Sequence, residues 1–311
     1  MNQTLFLKDK QINEKISFVG KITSINKGEN FFNVDLLLKE NFNINIKLDS
    51  SFEIPKKEKI YLFETEYKTK KEKKFLTCIK FNIIEEILDL KQIYYYYNHF
   101  FKCSPISFEM LNEQITIFLS NVKNPVLKKI THSLYSKNKI FFLISPAACK
   151  MHHDFYGGLG YHTLNMLKIS KHYTEIYPFL NKDLLTCGII LHDMAKILEF
   201  NFLSKSYTKE GILLGHLILG VNNIHAEALL LGLQNTEEVL LLKHLLISHH
   251  GLLKYGSSKE PKTGEALLLW YLDDIDSKFH TLNEKIEQTK KGEFTENLSV
   301  IDGKSFYNPD L

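Results

Sequence analysis

The side chains best able to do chemistry lie in the second half of the 311-residue chain. There His162, the adjacent pair His192-Asp193, His216, His249-His250 and Asp273 recur at intervals of about a helix and a loop. Imidazole with carboxylate is a borderline-to-hard ligand set suited to Mn²⁺, Fe²⁺ or Zn²⁺; Mn²⁺ is the expected ion, with Co²⁺ and Mg²⁺ as further divalent candidates. One or two such ions can make hydroxide from water near neutral pH and aim it at a phosphate. Asp193 directly follows the apolar run Ile189-Ile190-Leu191. A lone carboxylate is costly to bury there, so it calls for a cation or a strong hydrogen-bond partner. Lys196 stands at the i+4 position from His192, one helical turn on and on the same face. Its ammonium can steady a phosphate oxygen as a point charge.

Helices must carry these groups. Asn181 is placed to cap a helix ending near His192, Thr208 one that contains His216, and Asn235 or Thr236 one that stops at Gly251. Thr263 opens a long helix with Asp273, Asp274 and Asp276. One or two ligand-type side chains per helix is how a bundle core builds a metal site. Asp276 reads as a support one turn beyond Asp273, and Asp274 as an exposed neighbour. His99, His132, His172, His225, His244 and His280 read as ordinary hydrogen-bonded histidines.

The first part of the chain has a different period. Phe32, Val34, Leu36 and Leu38 alternate with Asn33, Asp35 and Leu37. Ile44, Ile46 and Leu48 alternate with Asn45 and Lys47, and Phe75, Thr77, Ile79 and Phe81 with Leu76, Cys78 and Lys80. This period of two predicts half-buried antiparallel strands, starting near Lys15, Asn30, Asn43, Lys57 and Lys73. Five short strands in so little chain suggest a small OB-like β-barrel. The segment Lys68–Lys74 places five lysines in seven residues. Lys70, Lys71 and Lys73, beside Phe31 on a strand face, could contact the phosphates and bases of a single strand. A solvated hairpin tip that discourages edge pairing is the competing reading.

The expected organisation is multidomain, α and β. A barrel spans 1–86, connecting helices 87–145 and an all-α bundle 146–295, followed by a polar tail, 296–311, in a stretch from about 292 expected to be loosely attached. Asn124-Pro125 marks a break between two helices, and Tyr94–Tyr97 reads as core and interface of a connecting helix. At 44% hydrophobic and 24% charged residues, the chain has ordinary globular composition, and its net charge of +3 implies no partner by itself. Every basic residue is lysine, so no guanidinium fork is available for phosphate. The four cysteines are scattered without a CxxC pair, which argues against disulfides and a thiolate zinc site and fits a reducing cytoplasm. The first residues lack a signal-peptide pattern. The most apolar stretches, such as Leu240–Ile247, are broken by charge and read as too short to span a bilayer, so no membrane partner is expected.

With these residues in view, the sequence resembles the HD-domain phosphohydrolase superfamily and, within it, the YhaM-type 3′-to-5′ exoribonucleases. His162, His192-Asp193 and Asp273 match the superfamily pattern. The closer resemblance rests on His152–Thr163, the His-Asp-x-x-Lys segment ending at Lys196, Leu214-Gly215-His216, Ser248–Gly251 and Tyr271–Lys278. It implies an HD-domain hydrolase that trims single-stranded RNA, and single-stranded DNA if the groove accepts it, from the 3′ end to nucleoside 5′-monophosphates. His162, His192, Asp193 and Asp273 are then ligands of a primary metal. His216 with His249, His250 or both holds a second, and Asp193 is the bridge. Lys196 serves the phosphate, and His152, His153, Gly157 and Gly158 line the mouth of the site. Two other readings stay open at this point. One is an HD-domain nucleotide or cyclic-dinucleotide phosphodiesterase, and the other a non-catalytic nucleic-acid-binding protein with a structural metal. Self-association is left open as well.

Overall fold

The computed structural model describes residues 6–70, 73–148, 154–201, 206–253 and 256–311. The chain divides into two compact units, Met1–Phe101 and Lys102–Leu311. In the first, β1 (Lys15–Lys27), β2 (Phe31–Leu38), β3 (Asn43–Asp49), β4 (Ile60–Lys70) and β5 (Lys73–Ile83) close a barrel in the order β1-β2-β3-β5-β4. The pairings are antiparallel except β3 with β5. A five-stranded closed sheet with this Greek-key order is the OB-fold arrangement. Alternation accounts for the interior: Val34, Leu36, Ile46, Leu48 and Leu76 are 0% exposed, while Asn33, Asp35, Asn45 and Lys47 between them are only half-buried.

The last strand departs from its simple reading. Thr65 pairs with Cys78 while Glu64 pairs with Lys80, so Ile79 is an extra residue in β5. Such a bulge reverses the parity of the strand. Before it, Leu76 and Cys78 point into the core; after it, Phe81 packs on Tyr61 and Phe63. Phe75 is thereby left on the outer surface.

Two helices follow the barrel strands, α1 (Ile84–Ile87) and α2 (Leu90–Phe100). Asp89 caps α2 in a reciprocal capping box with Gln92. Of the tyrosine run on α2, Tyr97 is buried and donates to Glu85 Oε1 at 2.6 Å.

The second unit is helical: α3 (Phe108–Ser120), α4 (Pro125–Ile144), α5 (Gly158–Ile176), α6 (Lys182–Leu191), the single turn α7 (Lys196–Glu199), α8 (Lys209–Leu230), α9 (Glu237–Ser248) and α10 (Gly264–Gln288). A short hairpin, β6 (Phe200–Asn201) with β7 (Ser206–Tyr207), lies between α7 and α8. The expected caps form at Asn181, Thr208 and Thr263, each side chain accepting from an amide of the first turn; Thr236 stands at the N-cap of α9 without a side-chain capping bond, and Asn124, read only as part of a break, caps α4. Helix α5 packs against α3, α4, α6 and α10, and α9 against α6, α8 and α10.

Two expectations need correction here. The stretch from 292 is not loose: Phe294 pairs with Tyr307 and Leu298 with Lys304. The buried Asn308 side chain bonds to Thr289 O at 2.7 Å, fastening it to the end of α10. The apolar stretches also read, by sequence, as too short for a bilayer. Among the described residues α8 is long and apolar enough by length and composition to cross a membrane. It is a bundle helix by its contacts: its helical geometry is interrupted at Gly215, and Glu227 on it is buried in an ion pair with Lys137 of α4.

Candidate metal centre

Four helices and the turn after α6 bring the candidate ligands together. His162 comes from α5, His192 and Asp193 from the end of α6, His216 from α8, His249 and His250 from the end of α9, and Asp273 from α10. Ligand atoms of His162, His192 and Asp193 lie within 4.8 Å of one another, and so do those of His216, His249 and His250. Asp193 joins the groups. Its Oδ2 is 3.4 Å from His192 Nε2, and its Oδ1 is 3.4 Å from His216 Nε2 and 3.7 Å from His249 Nε2. On the other side of the first group, Asp273 Oδ1 stands 3.3 Å from His162 Nε2. Most of these gaps are long for hydrogen bonds. Two atoms bound to one ion at about 2.1 Å stand roughly 3 Å apart when adjacent, so the spacing suits shared cations.

A second observation tests that fit. His192 Nε2, Asp193 Oδ1, His216 Nε2 and His249 Nε2 are buried without a hydrogen-bond partner. Orphaned acceptors in a dry site are costly, and here all of them converge. Each ring is turned inward by its other nitrogen. His192 Nδ1 donates to Ile189 O at 2.7 Å and His249 Nδ1 to Leu246 O at 2.8 Å. His162 Nδ1 is held by Asp276 Oδ2 at 2.6 Å, and His216 Nδ1 by Glu199 Oε2 at 2.9 Å. Fixing Nδ1 leaves Nε2 as the inward donor atom. These residues therefore fit one or two divalent ions.

Electrostatics agree with that use. Burial opposes a charge on His162, but Asp273 and Asp276 outweigh it and push its pKa up to about 10. An ion taking Nε2 must therefore displace a proton. Burial would raise Asp193, yet Lys196 and His192 hold it well below the ordinary carboxylate range. For His250, burial and then its neighbours His249 and His216 lower the pKa to about 3, so the ring stays neutral.

Lys196 is placed differently from the sequence reading. The α6 helix ends at Leu191 and residues 192–195 form a turn, so Lys196 opens the next helical turn instead of following His192 along one face. Its Nζ meets Asp193 Oδ2 at 2.7 Å, supplying the partner that the buried carboxylate required. Glu199, with 7% of its surface exposed, was missed. Its only sequence signal is an acid between the apolar residues Leu198 and Phe200. Gly157 and Gly158 serve internal packing: their amides donate to Ile144 O and Phe155 O. At Gly157, with φ +82°, a Cβ would lie 2.6 Å from Ser104 Oγ. His152, His153 and Lys71 lie outside the described residues.

Residues 159–278 match the family model of the HD domain. This part of the chain is an HD domain. An HD domain implies metal-dependent phosphoester hydrolysis, and the matched stretch contains every clustered ligand. The chain is also similar to a solved replication protein A heterotrimer bound to ssDNA. The identity is 8%, covering 30% of this chain and 72% of that one, with a TM-score of 0.23. The barrel assignment rests on strand order and register.

The HD domain's second histidine pair depends on the turn at Gly251, where φ is +75° and a Cβ would sit 1.9 Å from Trp270 Cε2. Left-handed strain costs about 1–2 kcal/mol and overpacking about 1–3 kcal/mol more. Gly251→Ala should therefore lower stability by about 2–5 kcal/mol. Urea unfolding followed by fluorescence of Trp270, the single tryptophan, measures it; an unchanged midpoint would refute the packing argument.

Proposed function

We propose that this chain is a 3′-to-5′ exoribonuclease that hydrolyses single-stranded RNA, and single-stranded DNA in the same groove, to nucleoside 5′-monophosphates. The HD domain supports phosphodiester hydrolysis, and one observation favours a polymer substrate. On the outer face of the barrel, Lys47 Nζ lies 4.6 Å from the ring centre of Phe31 and 4.3 Å from that of Phe75. The adjacent β4–β5 hairpin pairs Lys70 with Lys73. Stacking rings with ammonium groups among them are the ordinary means of holding a single strand without reading its sequence. A site for free nucleotides needs no such face. Cleavage from the 3′ end follows the family resemblance.

When bound, divalent ions supply an activated water and a polarised phosphoryl oxygen. The protein's part is positional. Asp193 presents Oδ1 to one histidine group and Oδ2 to the other, so one side chain sets the spacing of both. Asp276, Glu199 and two backbone carbonyls hold the imidazoles in register. Lys196, kept charged by Asp193, neutralises a non-bridging phosphate oxygen. Burial of the cluster keeps bulk water away from the reacting phosphate.

RNA labelled at its 5′ end, incubated with Mn²⁺, should shorten stepwise from the 3′ end. Hydrolysis of nucleotides or cyclic dinucleotides with RNA left intact would reject this function. The barrel's contribution has its own test. At about 1–3 kcal/mol per stacked base, Phe31→Ala with Phe75→Ala should weaken binding of a single-stranded oligomer at least about tenfold. Hydrolysis of a dinucleotide, too short to need the barrel, should be unchanged. Equal losses on long and short substrates would show that these rings do not hold the strand.

A further inference from the structure

The four inward-facing histidines are not held alike. His192 and His249 donate from Nδ1 to backbone carbonyls, whereas His162 and His216 are backed by the carboxylates of Asp276 and Glu199. Each ligand group thus has one carboxylate-backed imidazole, His162 in the first and His216 in the second. A carboxylate partner raises the basicity of the ligating nitrogen as well as fixing the ring.

Glu199 does a second job. The helical geometry of α8 is interrupted at Gly215, with φ 70° and ψ 163°. Glu199 Oε1 accepts the backbone N–H of His216, at 3.2 Å, just past this break. One buried carboxylate therefore fixes both the backbone and the ring of the same ligand. Both of its oxygens are engaged in doing so, which leaves Glu199 supporting the ligand instead of acting as one.

We propose that Glu199 is a positioning residue that sets the affinity of the second metal position, formed by His216, His249 and His250, independently of the first. Asp276 does the same for the first position through His162. The proposal rests on the reading that the cluster holds two ions, and does not depend on the substrate being RNA.

Equilibrium dialysis of the full chain against Mn²⁺, with bound ions counted and spin coupling read by electron paramagnetic resonance, tests it. Wild type should hold two tight, exchange-coupled ions. Glu199→Gln should retain one tight ion, bind the other about 10–100-fold more weakly, and show an uncoupled signal when only the tight position is filled. Asp276→Asn should mirror this, and the double variant should bind neither ion tightly. If Glu199→Gln fails to fold, Glu199→Asp keeps a carboxylate but withdraws it by one methylene, and should also weaken a single ion. Unchanged affinities, equal weakening at both positions, or fewer than two ions in wild type would overturn the proposal. Two ions bound by a wild-type protein that leaves RNA intact would reject the exonuclease function and leave the role of Glu199 standing.

Discussion

Asp193→Asn should lower hydrolysis of single-stranded RNA by about 10³-fold or more, while binding of the oligomer to the barrel survives. A catalytic metal contributes several kcal/mol of transition-state stabilisation, and each 1.36 kcal/mol or so is tenfold in rate. Asp193 is the side chain whose loss reaches both positions. Its two oxygens lie 3.4 Å from His192 Nε2 and from His216 Nε2. The count of bound ions should fall together with the rate. The variant also leaves the charged Lys196 side chain, 15% exposed, without its partner, at a cost of up to about 3–5 kcal/mol, so its fold must be checked by circular dichroism at low temperature. Removing both charges, with Asp193→Asn and Lys196→Met together, should recover much of that stability without recovering hydrolysis. Loss of RNA binding and of folding together in the single variant would instead favour a structural metal.

What could be read in advance follows from how local each signal is. The barrel strands announce themselves because alternation is a property of consecutive residues: Val34, Leu36, Ile46 and Leu48 all point inward. The bulge at Ile79 depends on the register of a neighbouring strand, so Phe75 gave no sign of sharing a surface with Lys47. Helix starts were legible at Asn181, Thr208 and Thr263, where the cap lies within three residues of the amide it serves. The helix end near His192 was legible too, but the turn over residues 192–195 that takes Lys196 off the His192 face was not, because those residues carry no glycine or proline to mark it. Glu199 escaped for a related reason: its role exists only because Gly215 interrupts α8 and turns the His216 amide toward it. The polar tail read as loose by composition, yet the amide of Asn308 anchors it through contacts that no pattern of hydropathy reveals.

Lys196→Met separates the phosphate role from support of Asp193. The substitution keeps the apolar stem and removes the charge. Burial disfavours the ammonium, but Asp193 and Asp273 more than compensate and raise its pKa above the ordinary lysine value. If it neutralises charge developing on a phosphate oxygen, the loss should resemble that of one electrostatic donor, about 10²–10³-fold in kcat, with KM for RNA changed only a few-fold. Metal stoichiometry should stay at the wild-type value, because a bound ion replaces the ammonium as the counter-charge of Asp193. That is the opposite of the Asp193→Asn result, in which ions and rate are lost together. Lys196→Arg should recover only part of the rate, since a planar guanidinium fork does not reproduce the point contact that Nζ makes with Asp193 Oδ2 at 2.7 Å. Metal-free Lys196→Met should be less stable than wild type and be restored by Mn²⁺. A variant that loses its ions in step with its rate would place Lys196 behind Asp193, with no contact to phosphate.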